Sequence, residues 1–469
     1  MHFVGIGGSG MSGIAEVLMN LGFGVSGSDL TRSEVTDHLE ALGATVHEGH
    51  DRRNIGDADV VVFSSAVRPA NPEIVEAVRR RIPVIPRAEM LAELMRMRYG
   101  IAVAGAHGKT TTTSMIALVL ERAGLDPTAV IGGRLSAFGG SARLGRSHYM
   151  VAEADESDRS FLRLTPTVAV ITNIDREHLE SYRDFDDLQQ AFVDFANKVP
   201  FYGAVIACAD DRRVRDLLPR VNRRVVTFGV DADRADYHAV DIRLSGFESS
   251  ATIVRSQPDR APGEAGASGR GVELGVLRLG VPGRHNLQNA LAAVAVADEV
   301  GVGFDRVAAA LAGFRGAERR FQVRGEAGGV MVIDDYGHHP TEIAAVIATA
   351  RAALDRRIVV VFQPHRFTRT RQLRDEFGPA LREADEIVLT DIYAAGEDPI
   401  PGVTVEDLAE AIRRTVGAPV HLVKSIDDVV RVVARLARRG DVIVMLGAGS
   451  IGALGGRVVD ALADRERAV

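Results

Sequence analysis

Tyr99-Gly-Ile-Ala-Val-Ala104, then Gly105-Ala106-His107-Gly108-Lys109-Thr110, then TTTSMIALVLERA through Ala123: this stretch decides the fold. The apolar run predicts a short buried strand, and Thr110 to Ala123 a helix. Strand, glycine loop and helix N-terminus in that order form an anion site, because unpaired backbone amides and the helix dipole point at one spot. Lysine stands only at 109, 198 and 424 among 56 Lys and Arg residues. A chain that otherwise uses arginine for positive charge keeps a compact ammonium at 109, suited to reaching between phosphate oxygens. The loop is shorter than the G-x-x-x-x-G-K-[ST] form, with Val103 where that form has its first glycine. The backbone nest, Lys109 and the Thr110 hydroxyl remain to cradle phosphates and contact a divalent cation.

Working outward, short apolar runs alternate with amphipathic helical stretches over 469 residues, which predicts parallel α/β layers in two or three domains. Hydrophobic residues make up 46% of a chain with net charge −7, the profile of a globular protein whose main partner is not nucleic acid. One cysteine excludes an intramolecular disulfide and suits a reducing compartment. No apolar run reaches membrane-spanning length, and no signal peptide is expected. The expected division is 1–98, 99–317 and 318–469: a Rossmann-like N-terminal domain, a P-loop-type central ATPase domain and a Rossmann-like C-terminal domain. Residues 256–271, rich in Gly, Ala and Pro, read as a surface loop of the central domain.

Three further groups of residues carry chemistry. Gly5, Gly7 and Gly10 fit G-x-G-x-x-G after the strand His2–Ile6, with Asp29 nineteen residues later, the dinucleotide fingerprint. Taken alone it points to an NAD-dependent oxidoreductase, although any diphosphate suits such a helix end. Gly447-Ala448-Gly449-Ser450-Ile451-Gly452 fits the same pattern, and there close packing is the better explanation. In the central region, Glu153-Ala154-Asp155-Glu156-Ser157-Asp158 ends a strand with four carboxylates, which are costly together without a cation. A solvated acidic loop is the plain alternative. His178 follows the next strand, and Glu153, His178 and Thr110 together are a candidate metal set. Asn286 and Asn289 open an Ala-rich helix as caps or as readers of an adenine edge. In the last region, Asp335-Tyr336-Gly337-His338 and His365-Arg366-Phe367-Thr368-Arg369 each follow a strand, as one wall of a cleft. Arg366 and Arg369, three apart, make a fork for a carboxylate or phosphate if helical.

With these residues quoted, the chain resembles the Mur ligase family. The matching segments are GIGGSGMSGIA, SSAV with NPE, GAHGKTTTT, VAEADESDRSFL, TNIDREHLESY, GRHNLQNALAA, RRFQ, DDYGHHPTE and QPHRFTRT, collinear over nearly the whole chain. The resemblance implies ATP-dependent amide-bond formation on a UDP-sugar, here UDP-N-acetylmuramate with L-alanine, in cytoplasmic peptidoglycan precursor synthesis. It implies ATP at Gly105, Ala106, His107, Gly108, Lys109, Thr110 and Thr111, with Asn286 and Asn289 toward adenine, Asp335 toward ribose and Arg320 toward phosphate. Mg²⁺ or Mn²⁺ is implied at Thr110, Glu153 and His178. Gly7, Ser9, Gly10, Met11, Asp29, Ser64 and Ser65 are implied to meet the UDP-sugar. Tyr336, His365, Arg366 and Arg369 are implied to meet the amino acid, with His338 beside the forming amide. The carbamylated lysine of several family members is replaced by Phe192, which favours the alanine-adding branch. A monomer or weak homodimer is expected, without nucleic acid or membrane.

The chemistry expected is phosphorylation of the carboxylate followed by attack of the amine, with His338 or His365 as base. Two rivals stand beside it: a murein-recycling peptide ligase acting on the same sugar, and the NAD-dependent oxidoreductase.

Overall fold

The computed structural model describes residues 1–64, 66–135, 140–178, 181–256 and 271–467. Ser65, the side chain of Ser9 and most of the expected surface loop (257–270) lie outside the described residues.

The continuous apolar runs become strands with both faces covered, as parallel sheets require. Three sheets result. The first is wholly parallel, in the order Thr45–Glu48, Ser26–Asp29, His2–Val4, Val61–Phe63, Val84–Pro86. The second has ten strands and is centred on Tyr99–Ala104, flanked by Val168–Ile171 and Tyr149–Glu153. The third runs Gln322–Ala327, Val330–Asp335, Val442–Leu446, Ile358–Phe362, Glu386–Leu389, Val420–Leu422. Only its first pair is antiparallel. The fold class is therefore the expected α/β one, with three sheets in chain order.

Register explains why distant motifs converge. Val103 pairs with Glu153, and Ala104 with Ile171. The phosphate loop, the acidic run and the loop after Ile171 thus leave the sheet at one level, at the carboxyl ends of their strands. In the third sheet Asp335 pairs with Leu446, and Leu446 with Phe362. The loops beginning at Tyr336, Gln363 and Gly447 accordingly emerge together.

The predicted helix over Thr110–Ala123 spans Lys109–Arg122, opened by Gly108 in the left-handed region at φ +81°. The helix Ser9–Asn20 likewise starts without a side-chain cap, at Gly8. Helix starts that lack a side-chain cap leave first-turn amides to a ligand. Three strands extend the second sheet beyond what the sequence predicted: Tyr237–Ser245, Glu248–Arg255 and Val272–Leu279.

Contacts divide the chain into two compact units, residues 1–242, 250–279 and 286–317 in one, and 243–249, 280–285 and 318–469 in the other. Residue 98 falls inside the first unit. One apolar core joins Phe3, Ile14 and Leu18 of the first sheet's layer to Phe161, Phe192 and Phe195 of the second. The helix Ser9–Asn20 packs on the strands Thr128–Leu135 and Gly140–Arg143, which fuses the two layers. Phe192, at the position of the family's carbamylated lysine, is 1% exposed and sits edge-on to Phe161.

Candidate active site

The phosphate loop is built by close approach. Gly105 has φ +139°, and a Cβ there would lie 2.1 Å from Thr172 Oγ1. At Gly108 a Cβ would lie 2.7 Å from Asn289 Oδ1. Only glycine suits both positions. The backbone of His107 is fixed on both sides: its amide donates to Asn173 Oδ1 (2.8 Å), and its carbonyl accepts from the Thr172 hydroxyl (2.7 Å). His107 Nε2 lies 3.2 Å from Asp175 Oδ2.

Lys109 Nζ donates to the carbonyl of Gly105 (2.6 Å), to that of Ala106 (3.2 Å) and to Glu156 Oε1 and Oε2 (2.8 and 2.9 Å). Burial alone would lower the pKa of this ammonium; the charges of Glu156 and Asp155 overcome that and raise it. Burial also raises Glu156 and Glu153, against the pull of Lys109. Glu153 Oε1 accepts the Gly132 amide at 2.6 Å, and the Thr110 hydroxyl hydrogen-bonds the same carboxyl. His178, at φ +57°, brings its Nε2 to 3.9 Å from Glu156 Oε1. Glu156, Glu177 and His178 each offer a ligand atom within 4.8 Å of the others'. Two carboxylates and an imidazole suit a hard divalent cation held beside phosphate. The set chosen on sequence thus divides: Thr110 bonds Glu153, while His178 gathers with Glu156 and Glu177, which that set lacked. Their signal was present, in the same acidic run and beside His178.

The remaining positions of the first unit are mixed. Asn289, 7% exposed, accepts from the Thr112 hydroxyl at 3.1 Å and packs on Gly108, so it braces the loop. Asn286 and Thr111 are equally buried. Asp29 Oδ2 accepts the Gly7 amide (2.8 Å) and Oδ1 the Leu30 amide (2.8 Å). The carboxylate thus ties the glycine loop to the end of its strand. Met11 is 1% exposed in the core and its amide donates to Gly8 O at 2.9 Å, so its side chain packs the interior and its amide helps start the helix. Ser64 stands against Gly5. Arg87 Nη1 lies where a Cβ on Gly10 would be 2.9 Å away, and its guanidinium is 3.7 Å from Asp155.

In the second unit, Asp335 is 4% exposed and accepts the amides of Phe321 and Gly337, both at 2.7 Å. Burial pushes its carboxyl up to about 6 despite the Arg320 charge. Arg320 lies 3.4 Å from Glu342 and 5.4 Å from the Tyr336 ring centre. His338 Nδ1 is 3.0 Å from the Tyr336 carbonyl and 3.5 Å from Glu342. The rings of His338 and His365 are 5.4 Å apart. Arg369 Nη1 donates to His365 Nδ1 at 3.0 Å. Burial, then the neighbouring His338, Arg369 and Arg366, pushes the His365 imidazole down to about 3. The arginine fork needs correcting: Arg366 is the cap residue before the helix Phe367–Ala380, at φ +71°, so the helical spacing does not apply to it. Its guanidinium is 4.0 Å from Glu397 while Arg369 holds His365. The second glycine loop is a packing feature, as expected. A Cβ at Gly449 would be 2.5 Å from Tyr393 Cγ, and one at Gly452 2.3 Å from the Arg319 guanidinium.

A phosphate cradle with a partly buried lysine and carboxylates at strand ends, in an α/β chain of three sheets, defines a nucleotide-dependent enzyme class of P-loop type. The chain belongs to the Mur ligase family. The model described as Mur ligase family, catalytic domain matches residues 1–99, Mur ligase middle domain 103–297, and Mur ligase, glutamate ligase domain 319–449. The UDP-N-acetylmuramate–L-alanine ligase of Geobacter sp. (strain M21) is 53% identical, over 97% of this chain and 96% of its own. That of Anaeromyxobacter sp. (strain Fw109-5) is 55% identical over the same shares. Among solved structures, the UDP-N-acetylmuramate-alanine ligase of Thermotoga maritima superposes with a TM-score of 0.80 at 31% identity, covering 100% of this chain and 99% of that one. The murein peptide ligase of Psychrobacter arcticus gives 0.70 at 26%, covering 99% and 98%.

Proposed function

We propose that this protein is an ATP-dependent ligase that joins L-alanine to the lactyl carboxylate of UDP-N-acetylmuramate, in peptidoglycan precursor synthesis. The observation that carries it is the Lys109 cradle, where a partly buried ammonium, loop carbonyls and Glu156 meet at the ends of aligned strands.

A carboxylate does not condense with an amine at neutral pH, because oxide is the leaving group. Transfer of the γ-phosphoryl from ATP makes the acyl–oxygen bond breakable and releases ADP. Lys109 and the amides of 105–108 offset the charge that gathers as anions converge. Glu156, Glu177 and His178, whose ligand atoms converge, together with the hydrogen-bonded pair Thr110 and Glu153, are the residues that would hold Mg²⁺ or Mn²⁺, which when bound supplies further neutralisation of phosphate charge. The alanine nitrogen then bonds to the acyl carbon, phosphate departs, and one amine proton passes to a base.

Hydrogen bonding separates the two base candidates. The Tyr336 carbonyl only accepts, so His338 carries its proton on Nδ1 and its lone pair on Nε2. Arg369 only donates, so His365 accepts at Nδ1 and presents an N–H at Nε2. His338, with Glu342 behind it to stabilise the imidazolium, takes the proton. His365 and Arg369 hold the amino-acid carboxylate or the departing phosphate, and Tyr336 lines the small pocket. We further assign UDP-sugar binding to 1–98, ATP to 99–317 and the amino acid to 318–469, in a cytoplasmic monomer or weak homodimer. Among the described residues no helix is long and apolar enough to cross a membrane.

Hydroxylamine supplied in place of alanine tests the acyl phosphate: with ATP and the UDP-sugar it should yield a hydroxamate and ADP. Neither product would reject the proposal. The peptide-ligase reading keeps one support, the 26% identity to the Psychrobacter enzyme, and tripeptide outcompeting free alanine would establish it.

A further inference from the structure

In the loop Gly447–Gly452, which looks like a nucleotide loop, Gly449 is shaped to one aromatic side chain. Gly449 leaves room for the Tyr393 ring, since a Cβ there would sit 2.5 Å from Cγ and 2.8 Å from Cβ of that residue. Tyr393 is anchored on both sides by backbone: its amide donates to Pro364 O and its carbonyl accepts from the Arg366 amide, each at 2.8 Å. This parallel bridge sets Tyr393 against His365, and the rings stack at 5.7 Å and 20°. The row of rings continues to His338, tilted at 54° and 5.4 Å from His365, and to Tyr336, edge-on to His338 at 5.5 Å, so four aromatic rings from three loops form one wall. Tyr336 and Tyr393 are its half-exposed ends, at 37% and 40%. A polar pair that would act on the amino acid thus has a large apolar ring at each end. The body of Tyr393 offers the packing surface that a short aliphatic side chain needs, on a backbone held in place by those two hydrogen bonds.

We infer that Tyr393 is a specificity-determining residue of the amino-acid site, its ring setting the largest side chain that the pocket accepts. This rests on the ligase reading above. The test compares kcat/KM for L-alanine, L-2-aminobutyrate, L-valine and glycine in phosphate release, with ATP and UDP-N-acetylmuramate saturating. One extra or missing methylene in an apolar pocket alters kcat/KM by about 10- to 200-fold. In Tyr393→Ala the preference for alanine over 2-aminobutyrate should fall by at least about 10-fold, while Tyr393→Phe, which keeps the ring, keeps the preference. Gly449→Ala pushes the ring the other way and should shift preference toward glycine; it serves if Tyr393→Ala does not fold. An unchanged ratio in a folded, active Tyr393→Ala or Gly449→Ala protein overturns the inference. If wild type releases no phosphate with any of the four amino acids, it is the ligase reading that fails.

Discussion

Lys109 is the residue on which the first unit's chemistry turns. Its three partners, two loop carbonyls and the Glu156 carboxylate, fix a compact ammonium at the start of a helix. A guanidinium is planar and wider, and cannot take that point-like position. Lys109→Arg is expected to cut ATP turnover by about 100-fold or more while keeping the charge, as loss of a preorganised charge contact does. Near-normal turnover in a steady-state assay would show that the ammonium geometry is incidental. The histidines make a paired prediction. His338→Ala should lower kcat by about 10²- to 10⁴-fold, the size of a lost general base; His365→Gln, which keeps an N–H donor, should be milder. Equal losses in both would contradict the tautomer assignment. His365 also links to stability. Its pKa is about 3 in the fold and about 6.5 when unfolded, so the unfolded chain binds more protons between those values. Stability should therefore be fully present above pH ~6.5 and fall as pH drops toward ~3. Urea midpoints for wild type and His365→Gln at pH 4.5 and 7.5 check this: the variant should lose less on acidification, and parallel losses would refute it.

At the scale of elements, convergence is made by strand register and by glycine. Val103 opposite Glu153 and Ala104 opposite Ile171 put three loops at one edge. Gly105 and Gly108 let the phosphate loop fold back on Thr172 and Asn289. Gly108→Ala puts a Cβ at φ +81° and 2.7 Å from an oxygen, which should cost roughly 1–3 kcal/mol of stability. Nucleotide should then raise the melting temperature less than in wild type; an unaltered response would place the nucleotide elsewhere. Most of this architecture was legible in the chain. Uniform runs such as Val168–Ile171 announce a buried parallel strand, and the glycine loops announce helix starts. Two half-buried strands were not: the alternation of Tyr237–Ser245 is interrupted by the exposed pair Val240 and Asp241, and the buried face of Glu248–Arg255 is Ser249, Ala251 and Ile253, a weakly apolar set. Glu156 and Glu177 were visible as carboxylates but not as partners, since the choice among neighbouring acids depends on which way each side chain leaves its loop. Tyr393 gave no signal at all. It lies outside every motif and reaches His365 only through a two-bond bridge that the third sheet's register creates.

For the whole molecule, a core shared by the first two sheets means that residue 98 is a poor place for a hinge, whereas the chain changes compact unit at 317–318. ATP and UDP-sugar added together should therefore shrink the radius of gyration in solution scattering, with the first unit moving as a body. Identical profiles with and without both ligands would count against closure. The account as a whole requires that three reactants be consumed in one coupled event. The most direct test is phosphate release by the purified protein with ATP, Mg²⁺, UDP-N-acetylmuramate and a panel of amino acids. Release should appear only with all components present and be fastest with L-alanine, with the alanyl UDP-sugar found in equal amount to ADP. ATP left uncleaved in the complete mixture, or cleaved equally without any amino acid, would contradict it.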